Sequence, residues 1–441
     1  MISDGYRESS VVSPENGEQD FLDWGALHKA RGLVAYYVSG HGWGHLTRSL
    51  ALACELLTHQ FCVLLCTPVS PDAVHAQLLL LLGAYRTHAI EFPQSLRPEE
   101  QLRVRAVKLD VGCIQSDALT IDAAATLTAY REINERRQTL IRVESAMLRR
   151  LQPQLILADA VALAAAAAKA AALSDRFVFV TNFLFSAIYD QFLSEIPSLN
   201  TPQNRALVER MAMDESEAPV WVQLSPGLVP PLRSFGGRCF SAGPVSRPWK
   251  STRAETRRRL GISLSARVLL VCFGSFDCKT LFGEQGCPLH SFLEQVDLIR
   301  EPGSPWRMML LTEYDAVSSS PRVRFVHPSA ATYVPDLIQA ADVVLGKLGY
   351  GISAECLAAG TPLVYVRRPL FLEEEALRRD LQGLCVELTI EELRSGCWRR
   401  AVHQALESKG STARARFGPE HPLASIRRLG ALVQQWMRGS Q

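Results

Sequence analysis

Ten consecutive residues, Ser39-Gly40-His41-Gly42-Trp43-Gly44-His45-Leu46-Thr47-Arg48, combine two imidazoles, a guanidinium and alternating glycines. Glycine lets the backbone turn tightly or approach a ligand with no Cβ in the way. An imidazole supplies a base near neutral pH, and a guanidinium supplies a fixed positive charge. The set suits proton transfer beside a bound anion, with Gly42, Gly44 and Arg48 on the binding side. A tight turn carrying ordinary surface histidines is the plain alternative; the density of His, Arg and Gly favours a site.

A second cluster is Gly346-Lys347-Leu348-Gly349-Tyr350-Gly351-Ile352-Ser353-Ala354-Glu355. The amides from Gly349 through Tyr350, Gly351 and Ile352 to Ser353 open a helix, where free N–H groups and the helix dipole suit a diphosphate. Lys347 stands beside them, and Glu355, one turn in, is placed to accept ribose hydroxyls. The spacing differs from the dinucleotide G-x-G-x-x-G fingerprint, and the chain has no G-x-x-x-x-G-K-[ST]. A third cluster, Glu373-Glu374-Glu375, opens a helix after Arg367-Arg368. Acids there complement the dipole, and a carboxylate also accepts two sugar hydroxyls at once.

These clusters need elements to hold them. From residue 33 to about 240, β-rich runs (Leu33–Val38, Phe61–Thr67, His88–Phe92, Leu155–Ala158, Phe177–Thr181) alternate with helical ones. The helical runs are Leu46–Leu57, Asp72–Leu82, Ala123–Leu151 and Ala160–Leu173. Pro and Gly crowd residues 225–250, which marks a connection. A second series follows with strands at Val268–Phe273, Met308–Thr312, Val323–Val326, Val343–Leu345 and Leu363–Val366. The alternation predicts an α/β fold of two Rossmann-like, doubly wound parallel-sheet domains with a cleft between them. The expected divisions are a disordered leader at 1–31, an N-terminal domain at 32–240, and a linker at 241–251. A C-terminal domain at 252–423 and a last helix at 424–441, which must pack on something, complete the chain.

Composition narrows the function. The chain has 441 residues, 47% of them hydrophobic, with a formal net charge of +2, so no excess of positive charge points to nucleic acid. The 11 cysteines show no C-x-x-C pair and several lie in apolar runs, the pattern of reduced, buried thiols in a cytoplasmic protein. A structural zinc site or disulfide framework is not expected. The apolar run Ala160–Leu173 falls short of the ~20 residues a membrane-spanning helix needs and carries Lys169. No transmembrane span is expected.

Several blocks in the same order resemble a known family. Tyr36 to Arg48, Asp110-Val-Gly-Cys-Ile-Gln-Ser-Asp117, Thr181-Asn182-Phe183, Gly346 to Gly351, and Val366-Arg367-Arg368 with Phe371, Glu373, Glu374 and Arg378 resemble the glycosyltransferase-like N-terminal half of plant-type L-arabinokinases. That half is similar to GT-B glycosyltransferases of family 28 type. The resemblance implies a GT-B fold whose C-terminal domain binds a nucleoside-diphosphate sugar through Gly349, Tyr350, Gly351, Ile352 and Glu355. Glu373 and Glu374 then meet the donor sugar, Asn182 and Gly274 line the site, and the last helix returns to the N-terminal domain. Arabinokinases continue into a GHMP-type kinase domain that this chain lacks, so kinase activity is not implied. Leu372 replaces the family's Asn, and Gly274-Ser275 replaces its glycine pair, which implies altered or lost donor recognition.

The expected function is transfer of a sugar from a nucleoside-diphosphate co-substrate to an unknown acceptor, with no metal or other cofactor. His45 is the expected base, His41 its substitute, and Asp159 the residue that orients a partner. One alternative is a non-catalytic sugar or nucleotide-sugar sensing module, associated with a sugar kinase as partner. A more distant alternative is an epimerase acting on a nucleotide sugar.

Overall fold

The computed structural model describes residues 24, 30–92, 97–274, 281–282, 289–312, 321–327, 332–408 and 422–439. Most of the stretch 1–31, together with Ser275, Cys278 and Cys287, lies outside the described residues. Trp24, within that stretch, is buried, and its indole N–H donates to the Glu100 carbonyl at 2.6 Å.

The first sheet contains β1 Gly32–Val38, β2 Phe61–Thr67, β3 Leu102–Ala106, β4 Leu155–Asp159, β5 Phe177–Thr181, β6 Val220–Leu224 and β7 Arg238–Ala242. The second contains β8 Arg267–Cys272, β9 Trp306–Leu311, β10 Val323–Val326, β11 Val343–Lys347, β12 Leu363–Val366 and β13 Cys385–Glu387. Strand order is β3-β2-β1-β4-β5-β6-β7 in one and β10-β9-β8-β11-β12-β13 in the other, and these neighbouring strands all pair parallel. The central strands are apolar up to their carboxyl ends, where Thr67 and Asp159 stand, because helices cover both faces. In each sheet the order reverses once, between β1 and β4 and between β8 and β11. A crevice opens there, beyond the carboxyl ends of the strands.

The helices that bear on the site are α1 Gly42–Thr58, α2 Pro71–Thr87, α3 Ala123–Glu135, α4 Arg137–Leu151, α5 Ala162–Ala170, α6 Phe185–Glu195, α7 Pro202–Ser216, α8 Tyr350–Ala359, α9 Leu372–Asp380 and α10 Pro422–Gly439. Leu423, Ile426, Leu429 and Val433 of α10 pack into the core formed by α1 and the first sheet. Among the described residues, no helix is long and apolar enough to cross a membrane.

Three local expectations are corrected. His88–Phe92 is not a strand: α2 runs on to Thr87, Ala89 takes a left-handed backbone, and the amides of His88, Ala89 and Ile90 bond the last carbonyls of that helix. The strand that pairs with β2 is Leu102–Ala106 instead. The run Ala123–Leu151 is two helices, because Arg136 leaves the helical region at φ −90°, ψ 1°. Lastly, α1 begins at Gly42, so much of the first glycine cluster is the opening turn of the helix, with His41 at its cap position.

The two sheets share more than a linker. Residues 115–121 form a small hairpin, with Gln115 bridged to Ile121 and the Asp117 carboxylate accepting from the amides of Leu119 and Thr120 at 2.7 and 2.8 Å. Its tip, Ala118 and Leu119, is buried in the core of the second sheet with Leu269, Val271 and Phe273.

Candidate active site between the two sheets

In register, Val38 at the end of β1 pairs with Asp159 at the end of β4. The chain leaving β1 enters α1 at once, so His45, Arg48 and Ser49 fall on one face of that helix's first turns, above Asp159. Asp159 is fully buried and receives four contacts: Arg48 Nε at 2.7 Å, Arg48 Nη2 at 2.6 Å, Ser49 Oγ at 3.2 Å and His45 Nδ1 at 3.0 Å. Burial alone would raise its pKa, but Arg48 and His45 hold it well below the usual carboxylate range. Reciprocally, Asp159 holds the Arg48 guanidinium above its ordinary value against the effect of burial.

Arg48 extends the network across the interface. Its Nη1 donates to Asn182 Oδ1 at 2.7 Å and its Nη2 to Thr181 Oγ1 at 3.2 Å. The Asn182 amide then donates to Glu373 Oε1 at 2.8 Å, and the ring of Tyr350, on α8, lies under the Arg48 guanidinium at 4.7 Å. The Tyr350 hydroxyl accepts the Val245 N–H at 2.9 Å, and burial pushes that phenol up to about 12. A continuous polar chain therefore runs Asp159–Arg48–Asn182–Glu373 from one sheet to the other.

The two histidines have different surroundings. His45 Nδ1 lies 3.0 Å from Asp159 Oδ1 and 2.9 Å from Arg48 Nη2, while its ring packs edge-on against Phe183. With a hydrogen on Nδ1 it donates to Asp159 and leaves Nε2 as an acceptor; the other tautomer accepts from Arg48. His41 Nδ1 accepts the Cys113 N–H at 2.9 Å, and its ring lies between Phe185 and Phe371. Burial, and then the neighbouring His45, Arg368 and Lys347, keep His41 well below the ordinary imidazole range.

On the second sheet, Gly274 follows β8 with φ 80°, and a Cβ there would lie 3.8 Å from Lys347 Cε at the end of β11. Gly349 caps α8, which Tyr350 opens. A Cβ on Gly351 would lie 3.6 Å from the Gly44 Cα, so the first turns of α1 and α8 meet. Ile352 packs beside Gly346, into the apolar cluster behind α8. Glu355 is not turned to this meeting point: Arg247, from the connection between the sheets, donates to its Oε1 at 2.6 Å and buries it.

The acids of α9 also diverge. Glu373 joins Asn182, whereas Glu374 Oε1 accepts the Arg368 N–H at 2.9 Å. Glu374 Oε2 and Arg368 Nε are buried 3.9 Å apart, and neither has a hydrogen-bond partner. Burial pushes the Glu374 carboxyl up to about 7. Among the described residues no group of three or more His, Cys, Asp or Glu is placed to hold a metal ion.

The structure thus gathers His45, Asp159, Arg48, Asn182, Glu373 and Tyr350 into one network and sets His41, Gly42 and Gly44 at its mouth. It keeps Glu355 and Glu374 in local pairs. Ser39, Asp110, Cys113 and Arg368 lie within the sequence blocks quoted above but had no role assigned from residue type alone, and Arg247 counted only as part of the Pro/Gly-rich connection. An arginine inside a Pro/Gly-rich connection has no solvated helix face to account for it, which was the available signal for Arg247.

This architecture is that of the GT-B glycosyltransferases. The glycosyltransferase of kitacinnamycin matches with a TM-score of 0.59 and 16% identity, over 92% of this chain and 99% of that one. The calicheamicin glycosyltransferase CalG4 matches with a TM-score of 0.56 and 17% identity, over 92% and 98%. Arabidopsis thaliana UGT89C1, solved with UDP-L-rhamnose, matches with a TM-score of 0.56 and 15% identity, over 91% and 99%. At the level of sequence, the chain is homologous to L-arabinokinase of Arabidopsis thaliana, 30% identical over 380 residues, which is 86% of this chain. It spans 32% of that protein's length. No family model matches the chain.

Proposed function

We propose that the protein transfers a sugar from a nucleoside-diphosphate sugar to a hydroxyl-bearing acceptor, without a metal, and that His45 is the base. The observation that carries this reading is the 3.0 Å contact between His45 Nδ1 and the buried Asp159 carboxylate. An ionised Asp159 accepts from Nδ1–H and leaves Nε2 free to take the acceptor's proton. The acceptor oxygen then bonds to the anomeric carbon as the bond from that carbon to the diphosphate breaks. The departing charge meets the N-terminal amides of α8 and the ammonium of Lys347, a preorganised positive end. Solved with UDP-L-rhamnose, the GT-B neighbour UGT89C1 supports a nucleotide sugar as donor. On this reading residues 32–240 take the acceptor and 252–423 the donor, in the cytoplasm, with 241–251 between them and 424–441 returning to the first domain.

The test is a panel of uridine, guanosine and adenosine diphosphate sugars, followed by release of the nucleoside diphosphate with and without added acceptors. Slow hydrolysis or transfer that His45→Ala abolishes supports the reading. Turnover unchanged in His45→Ala removes His45 from the mechanism.

A second reading is favoured by the Arg247–Glu355 pair, which occupies the carboxylate expected to hold a ribose. On it, the protein is a non-catalytic sugar or nucleotide-sugar module acting beside a sugar kinase, in keeping with the name of the homologous L-arabinokinase. Saturable binding with neither hydrolysis nor transfer supports this second reading.

A further inference from the structure

We propose that His41 is a fixed hydrogen-bond donor to an anionic oxygen of the bound ligand, and not a base; this rests on reading the cleft as a nucleoside-diphosphate site. The Cys113 N–H points into Nδ1 at 2.9 Å, so Nδ1 keeps its lone pair and the neutral ring carries its hydrogen on Nε2. A base acting through Nε2 would need that position bare, and Nδ1 is already occupied. The ring is held from two sides. Ser39 Oγ accepts the His41 N–H at 3.1 Å and is itself bonded to Asp110. Gly112, at φ 66°, lies flat against the His41 Cβ, where any side chain on Gly112 would overlap it, and the Tyr189 hydroxyl anchors the Gly112 carbonyl.

The surroundings keep the imidazole neutral. Burial comes first, then His45, Arg368 and Lys347, and His41 also stands at the positive end of α1. They also indicate what the N–H meets. The Arg368 guanidinium stacks on Phe371 at 3.9 Å, and the Phe371 ring is 5.6 Å from the His41 ring. Arg368 is 4% exposed and its Nε lacks a partner. A neutral donor and a buried cation therefore flank one phenyl ring, next to the meeting helix starts of α1 and α8; Glu373 Oε2 and Glu374 Oε2 stand 3.8 and 3.9 Å from that cation, beyond hydrogen-bond reach. That combination suits a phosphate or carboxylate oxygen better than a neutral hydroxyl.

The experiment labels the histidines with 15N in the full chain and records the side-chain correlation spectrum at pH 7, with His41 assigned by its loss in His41→Gln. The expected result is a neutral Nε2–H tautomer whose signal moves on adding pyrophosphate. A response to glucuronate in place of pyrophosphate assigns the oxygen to a sugar carboxylate, and the donor role stands. Calorimetry with whichever anion responds should show about a tenfold loss of affinity in His41→Leu and a loss within about threefold in His41→Gln, whose amide places an N–H near Nε2. Equal melting temperatures for wild type and His41→Gln confirm that the fold is intact. A hydrogen on Nδ1, a doubly protonated ring, or no response to either anion overturns the proposal. Sugar transfer that persists in His41→Leu with unchanged anion binding overturns it while leaving the proposed transfer reaction standing. A pyrophosphate response without any sugar transfer supports it and removes the catalytic reading instead.

Discussion

Gly44 and Gly351 face each other across the interface between the two sheets, close enough that a Cβ on Gly351 would stand 3.6 Å from the Gly44 Cα. The two glycine-rich helix starts are therefore neighbours, and both dipoles direct positive charge into one space.

This arrangement separates glycines needed by the fold from glycines a ligand would need. A Cβ on Gly346 would overlap the Cys272 carbonyl oxygen of β8, a backbone atom that cannot yield. Gly346→Ala should cost about 3 kcal/mol in denaturant unfolding. A Cβ on Gly44 meets nothing within 4 Å, so Gly44→Ala should leave stability within about 1 kcal/mol of wild type. If that same variant lowers nucleotide-sugar affinity, the third glycine is kept for close approach of a ligand. Unchanged affinity would mean that nothing approaches the first turn of α1.

Asp159→Asn keeps the shape of the His45 partner and removes its charge. Under the proposed transfer reaction, turnover should fall by about 10²–10⁴-fold, with a smaller change in donor affinity. Arg48→Met is the stability counterpart, because it leaves the fully buried Asp159 without its main compensating charge. Loss of about 3–5 kcal/mol is expected for that variant. A folded Arg48→Met protein of wild-type stability would contradict the network.

The Arg247–Glu355 pair joins the interdomain connection to α8, and both side chains are largely buried. Arg247→Met should cost about 3 kcal/mol, and the double variant Arg247→Met/Glu355→Leu should recover most of it, since no lone charge remains. Additive losses in the double-mutant cycle would show that the two groups do not interact.

Glu215 gives a pH dependence with a definite sign. Its carboxylate accepts from the Ser186 side chain and N–H at the start of α6, among the described residues no cation is bonded to it, and burial pushes it up to about 8. Between an unfolded value near 4.5 and that folded value, the native state binds more protons than the unfolded state. The stability it contributes is therefore present below about pH 4.5 and is lost as pH rises towards 8, at up to about 1.4 kcal/mol per pH unit. Glu215→Gln should flatten the fall in stability between about pH 4.5 and 8; an unchanged slope there would place the titration elsewhere.

Leu119 tests the hairpin. Leu119→Ala should cost about 2–3 kcal/mol and raise the radius of gyration measured by small-angle scattering, as its tip loosens from the second core. Identical scattering and stability would mean that the tip carries no closure energy.

Much of this fold was legible because buried parallel strands are short apolar runs. Phe61–Thr67, Phe177–Thr181, Val323–Val326 and Leu363–Val366 have the expected limits. The strands that were not legible lie at or near sheet edges. Leu102–Ala106 alternates with arginines, while Val220–Leu224 and Arg238–Ala242 flank a Pro/Gly-rich stretch that reads as connection. His88–Phe92 has the composition of a strand, but a helix end claims its amides. At the site, the glycine loops and their histidines stood out by residue type. The pairings did not, because Arg247 and Glu355 are 108 residues apart, and Asn182 and Glu373 are 191 apart. Such contacts depend on how two sheets dock, which no local pattern encodes.

Helix α10 ties the folding of the first sheet to the synthesis of the second. α10 crosses α1 so closely that a side chain on Gly430 would overlap the stem of Glu55, and the Phe240 ring of β7 packs tilted against Trp436 with centroids 5.0 Å apart. The helix that carries His45 and Arg48 thus has its outer face covered by residues 422–439, which leave the ribosome after the whole second sheet. Domains usually fold in the order they are made. Here the first sheet waits, with an apolar helix face uncovered, while the whole second sheet is translated, and that interval is where a chaperone would find its substrate.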